Sequence, residues 1–295
     1  MTTPDRVIAH YNVIERIDSP CPGDRFRARD TRLGRTVDLR LMPHDFAPTE
    51  AERASILEEA REARALSHPN IIATFDAGEH DERIYFVFEL PRGGPVRREM
   101  VGQGRLAPRR AVDIGIQVAD ALGEAHARDM MHGALTIDSV LVTEKDQVKL
   151  AGLGLPSLRA YDVAGRRGAA RPHRSTDGEL ADIQALGAIL YQLVTGVPPT
   201  PTGAAGRPVV PRQLNPQSSP DVDDIILRAL APTPTSRYQT VVTMGAELRS
   251  VAAMLEVREE SHAPASSVNV AKALLLALTM LGLAAAVVWW FSRGA

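Results

Sequence analysis

Residues 67–72 read Ser67-His68-Pro69-Asn70-Ile71-Ile72. The run marks a change of secondary structure, and the rest of the chain is read outward from it. Before it, Ile56, Leu57, Ala60, Ala63 and Leu66 recur at helical spacing, which predicts a helix over 50–67. Pro69 stops that helix, since it lacks an N–H and its ring crowds the preceding turn. After it, 71–75 and 84–90 are β-branched and aromatic runs that predict strands. Further upstream, 7–17, 25–29 and 36–42 also read as strands. Beyond Pro91-Arg92-Gly93-Gly94 the pattern turns helical. Residues 108–128 carry Val112, Ile116, Ala119, Leu122 and His126 on one face. Short apolar strands follow at 140–142 and 148–151, then helices at 182–195, 221–230 and 239–255. Strands with a single helix, a glycine-bearing hinge and then helices predict an α+β domain over 7–255, with a small lobe at 7–90 and a larger helical lobe at 95–255.

The composition suits that size. The chain has 295 residues, 44% hydrophobic and 24% charged, which excludes a wholly disordered or low-complexity chain. A net charge of −2 gives no basic field, so nucleic acid is not expected as a partner. Cys21 is the only cysteine, which rules out an intrachain disulfide and any multi-cysteine zinc site. Basic charge is nearly all arginine: Lys145, Lys149 and Lys272 are the only lysines, and residues 1–144 have none. His126, His132 and His173 show no metal-ligand spacing.

The last stretch differs in kind. Residues 273–291 carry no charge and are bracketed by Lys272 and Arg293, with Trp289 and Trp290 at one end. At 1.5 Å per residue they span about 28 Å, close to the ~30 Å of a bilayer core. Residues 272–292 are therefore expected to be a transmembrane helix, with aromatic rings at the interface. Residues 256–271, with Pro264, Ser266 and Ser267, read as a flexible juxtamembrane linker. No secretory signal is read at the N-terminus, and the basic residues flanking the span weakly favour a cytoplasmic domain anchored to the cell membrane by its C-terminus.

The order of these landmarks resembles the bacterial Hanks-type Ser/Thr protein kinase family. Ser67-His68-Pro69-Asn70-Ile71-Ile72 is similar to the segment after that family's regulatory helix. Ile116-Gln117-Val118-Ala119-Asp120-Ala121-Leu122, with Ala125-His126, resembles its long helix before the catalytic loop. Asp182-Ile183 with Leu186-Gly187 and Leu190-Tyr191 looks like its central helix, and Ser236-Arg237-Tyr238 like its late arginine segment. The resemblance covers about 7–255 and implies a bilobal kinase fold, with His132, Asp182 and Arg237 in structural roles.

It also locates the chemistry, and the residues there depart from the family. The catalytic-loop pattern H-R-D-L-K-P-x-N falls on 132–139. Ala134 stands for the aspartate that accepts the hydroxyl proton, Thr136 for the lysine and Ser139 for the metal-binding asparagine. Gly152 of Gly152-Leu153-Gly154 stands for the D-F-G aspartate, the main Mg²⁺ carboxylate. Asp138 is a nearby carboxylate, but its place in the motif should point it away. Arg40 stands for the strand lysine and Glu59 for its helix partner, so an Arg40–Glu59 pair is expected, and the two are cofactor-binding residues only if nucleotide binds at all. The glycine loop falls on 18–23, where Pro20 and Pro22 remove N–H donors and Asp18 adds like charge to phosphate.

The adenine pocket is altered too. Arg25 and Asp38 replace apolar roof residues, and after Phe88-Glu89-Leu90 the N–H normally offered to adenine is lost to Pro91. Arg25 and Asp38 lie on neighbouring strands and either form a salt bridge that fills the slot or both turn to solvent, and ATP and Mg²⁺ are not expected cofactors. Arg159, Arg166, Arg167, Arg171 and Arg174, in the activation-segment equivalent, read either as a solvated, mobile loop or as a basic strip for a phosphorylated or acidic partner. The expected function is a membrane-anchored pseudokinase that binds or scaffolds a protein at the membrane, either a true kinase or an envelope-assembly protein. The alternatives are a residual Ser/Thr kinase and an ATP sensor without chemistry.

Overall fold

The structure is a computed structural model that describes residues 7–18, 22–46, 48–155, 158, 176–200 and 208–262. Residues 1–251 form one compact unit and 252–295 a second. The strands are β1 (Val7–Ile8), β2 (Tyr11–Ile17), β3 (Asp24–Asp30), β4 (Thr36–Leu41), β5 (Thr74–His80) and β6 (Arg83–Glu89), followed by β7 (Gly93–Pro95), β8 (Val140–Thr143) and β9 (Val148–Leu150). The helices are α1 (Glu50–Ala63), α2 (Pro108–His126), α3 (Thr176–Thr195), α4 (Pro211–Leu214), α5 (Pro220–Ala229) and α6 (Val241–His262).

The first six strands make one antiparallel sheet in the order β1-β2-β3-β4-β6-β5. Strand alternation gives it two faces. Tyr11, Phe26, Ala28, Val37, Leu39, Tyr85 and Val87 bury the outer one. On the inner face Met42, Ile84 and Phe86 pack against Ile56, Ala60 and Ala63 of α1. Both sides of β4 are thus covered, which is why Asp38 and Arg40, on its inner side, are 4% and 7% exposed. Thr49 starts α1 with a reciprocal cap: its hydroxyl accepts from the Glu52 N–H, and the Glu52 carboxylate accepts from the Thr49 N–H.

The ribbon β7-β8-β9 lies at the junction to the helical lobe. There α2 packs on α3, and α3 on α5. Val112, Ala119, Leu122 and Ala125 bury one side of α2, and Leu186, Leu190 and Tyr191 of α3 are also buried. Ser219 caps α5 by accepting from Val222 N–H.

Three sequence expectations shift. The strand expected at 71–75 is displaced, with only Thr74 and Phe75 of it in a strand. Ile71 makes only an isolated bridge with Leu150, Ile72 N–H bonds Leu150 O, and the true strand β5 begins at Thr74. The helix expected over 182–195 begins at Thr176. The helix expected to end at 255 continues to His262, into the stretch read as linker. No helix among the described residues is long and apolar enough to cross a membrane, and the span expected at 272–292 lies outside them.

Candidate functional site

The catalytic-loop equivalent hangs from Asp182, which α3 carries into the lobe with 1% exposure. One of its carboxylate oxygens accepts the Gly133 N–H at 2.9 Å. The other accepts the His132 N–H at 2.8 Å and a proton from His126 Nε2 at 2.8 Å. His126 Nδ1 lies 3.4 Å from a Glu179 carboxylate oxygen. His132 is fully buried, and its Nε2 donates to the Ala151 carbonyl at 3.0 Å. These bonds tie the 132–134 turn to the chain just before Gly152. A buried carboxylate satisfied by three donors is a stable anchor, because each N–H would otherwise stay unpaired.

Ala134 is half-buried on this anchored turn and offers only a methyl group. Ser139 is fully buried; its hydroxyl oxygen accepts the Thr136 N–H at 3.3 Å and lies 3.4 Å from the Thr136 hydroxyl. Thr136 itself is exposed. Asp138 turns outward to Arg97, with an Nε–oxygen distance of 2.5 Å. Gly152 and Gly154 both adopt positive φ (82° and 75°), which glycine takes at no steric cost. Leu153 between them is buried. Among the described residues no cluster of three or more His, Cys, Asp or Glu is placed to hold a metal ion.

In the small lobe β3 and β4 pair with Arg25 opposite Arg40 and Arg27 opposite Asp38, so all four side chains share one face. Arg25 reaches diagonally to Asp38. Its Nε donates to both carboxylate oxygens at 2.9 Å, and a terminal guanidinium nitrogen closes the fork. The Asp38 side chain is 6% exposed and that of Arg25 33%. Arg40 donates to the Pro22 carbonyl, from Nε at 3.3 Å and from a terminal nitrogen at 2.8 Å. Glu59 is half-buried on α1. Phe88 stacks on Phe86 with centroids 6.2 Å apart and packs toward α1. Pro91 follows β6 in extended chain.

Two arrangements escaped the sequence reading. Lys149 Nζ on β9 pairs with Glu89 at the end of β6 at 2.8 Å, bridging the lobes beside the hinge. The signal was there in a weak form, since Lys149 is one of three lysines in a chain that otherwise uses arginine. The His126–Asp182 bond had no such signal, because α2 and α3 are distant in sequence. Arg237, expected in a structural role, holds the end of α5 by donating to the Ala231 carbonyl at 2.8 Å. Residues 19–21 of the glycine-loop equivalent and the arginine strip at 159–174 lie outside the described residues.

Comparison with known proteins agrees with this architecture. A family model described as protein kinase domain matches residues 22–245. Serine/threonine-protein kinase PknB of Mycolicibacterium smegmatis is 29% identical over 273 residues, covering 84% of this chain and 44% of that protein. Serine/threonine-protein kinase PrkC of Bacillus subtilis is 26% identical over 265 residues, covering 83% of this chain and 41% of that protein. The chain thus spans less than half the length of these relatives. The crystal structure of the Mycobacterium tuberculosis PknI kinase domain superposes with a TM-score of 0.68 at 22% identity, covering 85% of this chain and 99% of that one.

Proposed function

This chain belongs to the protein kinase domain family, and we propose that within it the chain is a pseudokinase, a binding module without phosphotransfer. One observation carries the reading. The loop that should present the proton acceptor is fully anchored through Asp182 and His132, yet it presents the Ala134 methyl, and the adjoining metal turn presents Gly152. The frame persists while the reacting groups do not. A methyl cannot accept a proton, and a general base typically contributes 10²–10⁴-fold.

The residues present do not fit Mg²⁺, which needs hard oxygen ligands, usually including a carboxylate. Ser139 engages Thr136, and Asp138 faces Arg97 at the surface. Nor does the slot under the β3–β4 roof suit adenine, because the Arg25–Asp38 fork lies there and Pro91 has no N–H to offer. Arg25, Asp38, Phe88 and Pro91 are proposed to fill the pocket in place of a base. Arg40 and Glu59 stay candidates for phosphate contact only if nucleotide enters. In this reading residues 272–292 anchor the domain in the cell membrane. The partner is a protein at that membrane, a kinase or an envelope-assembly protein, met at raised effective concentration.

The deciding experiment incubates the full chain with radiolabelled ATP and Mg²⁺ or Mn²⁺ and a basic protein substrate. Label incorporation equal to a no-protein blank supports the reading. Incorporation that is lost on Arg40→Ala overturns it in favour of a residual kinase.

A further inference from the structure

The inner face of the small-lobe sheet and the inner side of α1 do not close on each other alone. Met42, Ile84 and Phe86 from the sheet, with Ile56, Ala60 and Ala63 from α1, enclose Leu155 and Leu158. Both leucines come from the chain beyond the Gly152-Leu153-Gly154 turn, and they are 1% and 4% exposed. Phe88 and Leu57 pack against the same cluster.

Gly154 shows how tightly this chain is pressed on the helix. A Cβ there would stand 3.0 Å from the Ala63 Cβ and 3.3 Å from a Leu66 methyl, and its φ of +75° already disfavours a side chain. Two further contacts bind the same region with groups of the chain itself. Arg40 holds the Pro22 carbonyl, which draws the glycine-loop equivalent onto β4. Lys149 holds Glu89 across the hinge, with its side chain 12% exposed.

From these contacts we infer that Leu155 and Leu158 form an internal wedge that fixes α1 against the sheet, so that the small lobe keeps one setting of α1 with no nucleotide bound. Apolar contact at native density resists displacement, because moving α1 would open a void around both leucines. A charged pair through bound phosphate is not needed to hold the helix. The inference concerns the position of α1 and is separate from the loss of phosphotransfer proposed above.

Hydrogen exchange on the full chain tests it, with α1 (Glu50–Ala63) as the reporter and α2 (Pro108–His126) as the internal reference. In the unsubstituted protein the α1 amides should be protected without ligand and unchanged by millimolar ATP with Mg²⁺. Leu158→Ala should speed α1 exchange by about tenfold or more while α2 stays protected. Leu158→Met, which conserves volume, should leave α1 near its original rate. Protection of α1 that arises only on adding nucleotide overturns the wedge, as does an unchanged α1 in Leu158→Ala. If Leu158→Ala unfolds α2 as well, the unsubstituted protein with and without nucleotide decides alone. Phosphotransfer in the separate assay would sink the binding-module reading and leave the wedge standing. Nucleotide-dependent α1 protection without phosphotransfer would sink the wedge and the filled adenine slot, and leave only the loss of phosphotransfer standing.

Discussion

Asp182 is the residue on which the helical lobe's inner loop depends. Itself only 1% exposed, it satisfies two backbone N–H groups and one imidazole. Asp182→Ala strands all three donors. It should cost about 3–5 kcal/mol by urea denaturation, far above the ~1 kcal/mol typical of a point change. The Arg25–Asp38 fork behaves differently, because Arg25 is a third exposed and solvent screens it. Arg25→Ala alone leaves a buried carboxylate and should cost about 1–3 kcal/mol. The double change Arg25→Met with Asp38→Val should recover most of that loss, since a buried ion pair often gives way to packed apolar groups without penalty. A double change no better than Arg25→Ala would show that the fork, and not the packing around it, holds β3 to β4.

At the scale of elements, local chemistry decides what the sequence can reveal. Strands β4 and β6 were legible because their apolar residues alternate or run together. Strand β5 was not. It reads Thr74-Phe75-Asp76-Ala77-Gly78-Glu79-His80, and Gly78 lies against the Tyr85 ring, where a Cβ would stand 2.8 Å from the tyrosine hydroxyl oxygen. The β-branched Ile71 and Ile72 drew the expectation instead, yet their backbone pairs with Leu150 of the other lobe, a contact no local pattern encodes. Ala134 and Gly152 were legible as residue types, whereas the Lys149–Glu89 bridge needed the fold to bring two strands together. The hinge ribbon makes a sharper prediction. A Cβ on Gly93 would fall 2.0 Å from the Val142 carbonyl, so Gly93→Ala must part β7 from β8. Rapid exchange of the β8 amides, with α2 unaffected, is the expected signature. Helix α1 ends into His68, whose pKa is lowered by burial and then by Lys149, with Asp120 opposing. A depressed imidazole favours the neutral form in the folded state. Its contribution is present above the unfolded value near 6.5 and is lost as pH falls through the lower folded value. Stability should therefore start to decline below about pH 6.5, and His68→Gln should flatten that part of the profile in denaturation measured from pH 7.5 to 5. An unchanged slope would assign the acid loss to other groups.

For the whole molecule the question is whether the two lobes still share a ligand. A ligand present at 100 times its dissociation constant stabilises a fold by about 2.7 kcal/mol. For a domain of this size that is a rise of about 5–10 °C in melting temperature. Here the lobes are already joined by Lys149 and Glu89, the strand arginine holds the Pro22 carbonyl, and Leu155 and Leu158 occupy the space behind Phe88. Each contact is made by the chain and would have to be exchanged, at a cost, for contacts with ATP. Thermal melting of the full chain should therefore be unmoved by millimolar ATP or ADP, with Mg²⁺ or without. A shift that requires Mg²⁺ would mean that oxygen ligands assemble despite Gly152 and Ala134, and would return the chain to the enzymes. A shift of equal size without Mg²⁺ would point to a metal-free nucleotide sensor, and Arg40→Ala should then abolish it. No shift in either condition leaves the surface of the two braced lobes, rather than the cleft between them, as the part of the molecule through which the proposed partner would bind.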